Sequence, residues 1–130
     1  MFEIQILALS GLLAAGQLIV FSALANRELP QSWLIGPRDD PMPTPLSPLC
    51  ARMQRAFNNQ MEGLVLFAVA AVSVVLLRES STITGVSAIV YLAARVIYVP
   101  AYCLGVPWVR SIVWMVGFAA TVVMLGAALR

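Results

Sequence analysis

Hydrophobic residues in this chain are gathered into four long stretches, which are separated by polar or proline-containing segments. The first stretch contains no charged residue, and the second continues from a polar turn into GLVLFAVAAVSVVLL. About 20 apolar residues are enough to cross the hydrocarbon core of a bilayer. A backbone that faces lipid must satisfy its own hydrogen bonds, which favours helices over isolated strands. The pattern therefore predicts four membrane-spanning helices, at about residues 4–25, 56–77, 83–99 and 109–129.

The connections between these stretches differ in length and chemistry. The first contains GPRDDPMPTPLSP, which is excluded from regular helix because each proline lacks an N–H and has a fixed φ. The second is a tight turn at 78–81, and the third is a short break at 105–107. No repeat or linker is visible, so we expect a single transmembrane domain over 1–130. A membrane β-barrel is excluded because apolar and polar residues do not alternate.

Composition supports the same class of protein. The chain is 61% hydrophobic and 11% charged, and its mean hydropathy is +0.90. Soluble domains are about one quarter charged, so this chain lacks the residues to cover a soluble surface. Its net charge of +2 comes without a basic run, which gives no indication of a nucleic-acid partner. The chain has no histidine, the commonest metal ligand, and no metal site is predicted.

The arginines predict the orientation of the four helices in the membrane. Most of them lie beside the first and third connections, and only Arg78 and Arg130 lie on the other side. The positive-inside rule then places the first and third connections in the cytoplasm and both termini outside. The start Met-Phe-Glu is acidic, and the apolar run that follows is longer than that of a signal peptide. We therefore expect the first stretch to be a retained span.

Two rows of polar side chains enter the predicted spans from the cytoplasmic side. At about 100° per residue, one row covers an arc of roughly 80° on the second span and the other roughly 60° on the third. Arg110 begins the fourth span at the same depth. The rows comprise Arg52, Arg55, Asn59 and Glu62 on the second span, and Tyr91, Arg95, Tyr98 and Tyr102 on the third.

Two structural explanations compete with a functional one for these rows. Arginine and tyrosine near helix ends anchor many proteins at the lipid headgroups. Arg55 and Glu62 could also form an internal ion pair that joins two helices. However, ionisable groups aligned inside apolar spans are costly and typically mark a functional site. The alignment therefore favours a polar pocket.

The residue types in this pocket indicate the charge of its ligand. Its arginines outnumber its one carboxylate, and arginine pairs with carboxylates through two parallel hydrogen bonds. Glu62 offers a partner for an ammonium group, and the tyrosines offer neutral donors. The set suits a small zwitterion that carries extra carboxylates.

Three motifs resemble those of a known family. The segment RMQRAFNNQME at 52–62 resembles the second-helix motif of the MAPEG family, membrane-associated proteins in eicosanoid and glutathione metabolism. The segment ARVIYVPAY at 94–102 resembles the third helix of that family, and Arg110-Ser111 resembles the start of its fourth. The motifs occur in the family's order, and the resemblance, which is to a bacterial-type member, covers nearly the whole chain.

The resemblance implies a homotrimer of four-helix protomers that binds glutathione, as a co-substrate, between protomers on the cytoplasmic side. It gives Arg110 the catalytic position beside the sulfur. By position in the motifs, it implies a glutathione-binding set of Arg55, Asn59, Glu62, Arg95, Tyr98 and Tyr102, with Arg27 as a further candidate for a carboxylate.

Two functions follow from this resemblance. The first is a glutathione-dependent transferase or peroxidase of the bacterial plasma membrane, which receives a lipophilic electrophile or lipid peroxide from the bilayer. The second is a non-catalytic subunit that serves assembly of a larger membrane complex. Gly63, where some members have a tyrosine that contacts the ligand, and Phe57, at an often polar position, favour the second. The first is favoured by the intact motif residues Arg55, Asn59, Glu62 and Arg110. A small multidrug exporter is disfavoured, because those carry a glutamate in helix one where this chain has Gln17.

Overall fold

The computed structural model describes residues 1–130, and its regular secondary structure is entirely helical. Four of its five helices are long and apolar enough to cross a membrane, which confirms the predicted all-α architecture with four spans. The helices are α1 (Phe2–Glu28), α2 (Gln31–Ile35), α3 (Pro48–Leu76), α4 (Thr82–Cys103) and α5 (Pro107–Ala128). The predicted first to fourth spans thus correspond to α1, α3, α4 and α5.

The helices extend beyond the apolar stretches from which they were predicted. Helix α3 begins at Pro48, well before residue 56, because the Ser47 side chain accepts a hydrogen bond from the backbone N–H of Cys50 at 3.2 Å. Pro48 fits the first helical turn, where its missing N–H has no helical partner in any case. Helix α4 continues past Pro100 to Cys103, so the tyrosine row of the third span stays on one helical face.

Helices α3 and α4 each end in a turn of the same type, with one residue in the left-handed conformation. After α3, the N–H of Glu79 donates to the carbonyl of Val74 at 2.9 Å, and Arg78 adopts a φ of 61°. After α4, the N–H of Val106 donates to the carbonyl of Ala101 at 3.1 Å, and Gly105 adopts a φ of 73°. This left-handed position is the one that glycine favours after a helix.

Small residues allow the four spans to pack closely. Helix α1 packs against α3 and α4, whereas α5 packs against α4 and α3. The Phe67 ring stacks on the Tyr91 ring with centroids 3.9 Å apart. Around this pair the core consists of Ile6, Ala70, Ala71, Val74, Ala88, Ala120, Met124 and Ala128. Large apolar side chains point outward instead, as expected for a lipid-facing surface.

The end of the bundle that holds the N-terminus is closed by a buried carboxylate. Glu3 is 2% exposed, and its two oxygens accept hydrogen bonds from Thr84 Oγ1 at 2.6 Å and Ser80 Oγ at 3.3 Å. The terminal amine lies 3.6 Å from the same carboxylate. These contacts join the start of α1 to the start of α4 within the chain itself.

The first connection folds back on the opposite end of the bundle. The N–H of Ser47 donates to Glu28 Oε2 at 3.0 Å, which ties the start of α3 to the end of α1. Trp33 Nε1 donates to the carbonyl of Asp40 at 3.1 Å, and the Arg38 guanidinium lies over the Trp33 ring. Residues 37–47 contain no helix, in agreement with their prolines, and Pro48 of the predicted non-helical segment opens α3.

We expect the two helix-ending turns to respond oppositely to substitution. Gly105→Ala should lower the melting temperature, because a left-handed conformation costs an L-residue about 1–2 kcal/mol. Arg78→Gly should raise the melting temperature by removing that cost. Circular dichroism of detergent-solubilised protein measures both changes. Gly126→Ala is the control, because a Cβ there meets open space. Equal changes in melting temperature in Gly105→Ala and Gly126→Ala would contradict the left-handed conformation of Gly105.

Candidate functional site

Two side-chain hydrogen bonds join the polar rows of α3 and α4. Arg55 Nε donates to the Tyr102 hydroxyl at 2.9 Å, and Arg95 Nη1 donates to Asn59 Oδ1 at 2.6 Å. The rows therefore face each other on neighbouring helices.

Tyr102 is the point at which the three helices meet. The guanidinium carbon of Arg110 on α5 lies 5.0 Å from the centre of the Tyr102 ring, and that of Arg55 on α3 lies 5.9 Å from it. The Tyr98 ring, one turn earlier on α4, lies 5.6 Å from the Tyr102 ring. An aromatic face attracts cations, so this ring holds two guanidinium groups near each other.

Arg95 lies deeper in the bundle than the other arginines of the site. Its side chain is 3% exposed, and its guanidinium carbon lies 5.6 Å and 5.5 Å from the rings of Tyr91 and Tyr98. On the remaining side it meets α3 at Gly63. Arg95 is thus enclosed by two side chains of its own helix, α4, and by the backbone of α3.

Three neighbouring cavities lie along these residues. The main cavity, of about 380 Å³, is lined by Asn59, Tyr98, Arg110, Ser111, Trp114 and Met115. The arginine cavity, of about 160 Å³, is lined by Arg52, Arg55, Tyr102, Gly105, Pro107 and Arg110. The inner cavity, of about 120 Å³, is lined by Glu62, Gly63, Leu66, Tyr91, Arg95, Trp114, Phe118 and Thr121. Arg110 borders the first two cavities, and Trp114 borders the main and inner ones.

The site carries an excess of positive charge. Glu62 is the one acidic residue that lines these cavities, and the salt bridge within the chain involves Glu3 and the terminal amine instead. Arg52, Arg55, Arg95 and Arg110 therefore each lie farther than 4.0 Å from any carboxylate. Like charges held close together favour binding of an anion, which relieves their repulsion. No group of three or more possible metal ligands is present.

The structure brings together every predicted site residue except one. Arg27 is exposed at the last turn of α1, makes no side-chain hydrogen bond and lines none of the three cavities. Helix α1 packs on α3 and α4, whereas Arg110 belongs to α5. Within one chain, Arg27 is therefore separate from the site.

Two residues that line these cavities, Arg52 and Trp114, were not part of the predicted glutathione-binding set, although Arg52 belongs to the predicted polar row of the second span. Arg52 supplies a third guanidinium to the arginine cavity, and its Nη1 donates to the carbonyl of Cys103 at 3.2 Å. Its position one turn before Arg55 was a usable indication. Trp114, one turn after Arg110, lines two cavities, whereas tryptophan in a membrane protein suggests an interface anchor.

Comparison with known proteins gives one match. The family model described as MAPEG family matches residues 6–130 of the chain. No curated protein and no solved structure matches it.

The arginine cavity predicts that small dianions stabilise the protein. Sulfate should raise the melting temperature of detergent-solubilised wild type above its value in chloride at equal ionic strength. An anion at ten times its Kd stabilises by about 1.4 kcal/mol. The gain should shrink in Arg52→Gln, which removes one of three guanidinium groups.

Arg78→Gln is the matched control, because Arg78 lies in the turn between α3 and α4 at the other end of the bundle. It should keep the full gain from sulfate. An equal gain in wild type and Arg52→Gln would show that the anion acts elsewhere.

Proposed function

Since the chain belongs to the MAPEG family, which includes glutathione transferases and peroxidases, we propose that it is a membrane-embedded glutathione-dependent transferase or peroxidase. The observation that carries the proposal is the position of Arg110. Its guanidinium borders both the main and the arginine cavity, and it has no carboxylate partner. A guanidinium left free at a cavity wall can stabilise an anionic sulfur.

The charged groups of the site fit the charged groups of glutathione. Arg55 and Arg52 supply donors for carboxylates, which they can bind through two parallel hydrogen bonds. Asn59 supplies an amide, and Tyr98 and Tyr102 supply hydroxyl groups and ring faces. Glu62, exposed on α3, has no partner in the chain and suits the tripeptide's ammonium group. Arg95 acts on this set through Asn59.

Arg110 would favour the thiolate form of the bound sulfur, since a nearby positive charge stabilises the anion and the thiolate is the nucleophile. In a transfer reaction, the sulfur's electron pair forms the new carbon–sulfur bond, and the leaving group departs with its bonding pair. In a peroxidase reaction, the sulfur attacks the terminal peroxide oxygen and the O–O bond breaks. The alkoxide takes a proton from water, and a second glutathione converts the sulfenic acid into a disulfide and water.

A lipophilic substrate would reach the main cavity from the bilayer. Trp114 and Met115 line this cavity and are 38% and 63% exposed on the outer surface of α5. Apolar side chains at a cavity mouth within the membrane offer such a substrate a path that avoids water. The proposal places this end of the bundle in the cytoplasm and both termini outside, in a bacterial plasma membrane.

Calorimetry with detergent-purified protein tests this proposal. Glutathione should bind saturably, and ultraviolet absorbance should detect its thiolate in the wild type. Arg110→Gln should lose the thiolate signal and lower the turnover of a lipophilic electrophile by about 10²–10³-fold, the usual effect of removing one electrostatic stabiliser. Its affinity for glutathione should change much less.

Arg130→Gln, an exposed arginine at the C-terminus, is the matched control and should behave like wild type. A protein whose tryptophans at 33 and 108 are replaced by phenylalanine reports through Trp114 alone, and glutathione should change its fluorescence. Absence of binding at millimolar glutathione would contradict the enzyme and favour the alternative, a non-catalytic subunit of a larger membrane complex.

The proposal includes a homotrimer with the site between protomers. Native mass spectrometry from detergent should then give a complex of three chains, and glutathione should raise the proportion of trimer that survives activation. Arg110→Gln, which is expected to keep binding glutathione, serves as the comparison. A monomer that binds glutathione with full affinity would contradict a shared site.

A further inference from the structure

Arg95 occupies the space where a side chain at position 63 would begin. A Cβ built on Gly63 would lie 2.7 Å from Arg95 Cζ and 3.2 Å from its Nε, and it would overlap Nη2. Contacts below 3.0 Å force a neighbour to move. Arg95 can therefore lie against α3 only because residue 63 is glycine.

A single side-chain hydrogen bond holds the buried guanidinium in this place. Arg95 Nη1 donates to Asn59 Oδ1, Nε has no partner, and no carboxylate lies within 4.0 Å. The rings of Tyr91 and Tyr98 cover the group from two sides. Burying a charge with so few partners is costly, and loss of the bond to Asn59 would leave the guanidinium without a side-chain hydrogen bond.

This bond fixes the direction of the Asn59 amide. A guanidinium has donors and no acceptor, so the atom of Asn59 that faces it must be the carbonyl oxygen. The NH₂ group is left free for another partner. Because Asn59 also lines the main cavity, a ligand there meets an amide donor.

We propose that Gly63 and Arg95 are positioning residues, which together direct the Asn59 amide donor into the main cavity. The site then selects a ligand with an acceptor oxygen at this point, either a carboxylate or a peptide carbonyl. By the family resemblance, glycine at position 63 removes a contact that a tyrosine would make with the ligand. In this structure the same glycine is required for the contact between the Asn59 amide and the ligand. The assignment of that ligand to glutathione rests on the proposed function.

A double-mutant cycle tests this arrangement. Gly63→Ala should displace the guanidinium, release Asn59 and weaken glutathione binding about tenfold, as expected for one charge-assisted hydrogen bond. In an Arg95→Leu background, Gly63→Ala should have no further effect, because the guanidinium is absent. Gly16→Ala, where a Cβ meets open space, is the glycine control. An equal effect of Gly63→Ala in both backgrounds would overturn the proposal.

Asn59→Asp separates positioning from a purely structural role. The aspartate keeps an oxygen toward Arg95 and adds a charge partner, so the melting temperature should be maintained or raised. It presents a carboxylate oxygen to the cavity instead of an amide donor, and glutathione affinity should fall about tenfold or more. Unchanged affinity in this stable variant would overturn the proposal.

A readout without ligand distinguishes failure of this inference from failure of the proposed function. In protein with ¹⁵N-labelled asparagine amides, the Asn59 NH₂ resonances are those that Asn59→Asp removes. They should shift in Gly63→Ala but not when the same change is made in Arg95→Leu. If wild type does not bind glutathione, the proposed function fails, and these shifts still decide the inference. If Gly63→Ala does not fold, Gly63→Ala/Arg95→Leu should restore folding, and failure to do so would overturn it.

Discussion

A charged group inside an apolar bundle has lost its water, and this bundle must hold two such groups, one at the start of α1 and one within α4. Glu3 and Arg95 are 2% and 3% exposed, and neither lies on the lipid-facing surface. Such groups cost free energy unless partners in the protein replace the water. The contacts between α1 and α4 at Glu3, and between α3 and α4 at Arg95, are arranged around this requirement.

The two groups meet the requirement differently. The Glu3 carboxylate contacts two hydroxyl groups and the terminal amine, so both of its oxygens have partners within the chain. Arg95 finds one amide and two ring faces, and the three arginines nearer the surface find no carboxylate. A closed set of partners stabilises a helix junction and leaves nothing for a ligand. The arginines of the other set are left without carboxylate partners in the chain, and the proposed anionic ligand would supply one.

The sequence predicted the spans well because their length depends on local apolar content. It predicted the start of α3 too late because the cap at Ser47 and the polar first turns lie outside the apolar run. It placed Arg55, Asn59, Arg95 and Tyr102 on facing rows because helical spacing is regular. The individual pairs depend on how far one helix is shifted along the other, and one sequence carries no information about that shift. For the same reason Trp114 was not predicted to line a cavity, and Arg52, although placed in the polar row, was left out of the glutathione-binding set.

Gly63 illustrates the limit of interpreting a motif position by position. Compared with family members that have tyrosine there, the glycine counts as a ligand contact removed from α3, which favours a non-catalytic subunit. In three dimensions the space is filled by Arg95 from α4, whose hydrogen bond orients Asn59. The Arg95 side chain of α4 can thus occupy this space only because residue 63 of α3 has no side chain. Because a side chain at residue 63 and the Arg95 guanidinium would occupy the same space, the glycine is no evidence against a functioning site.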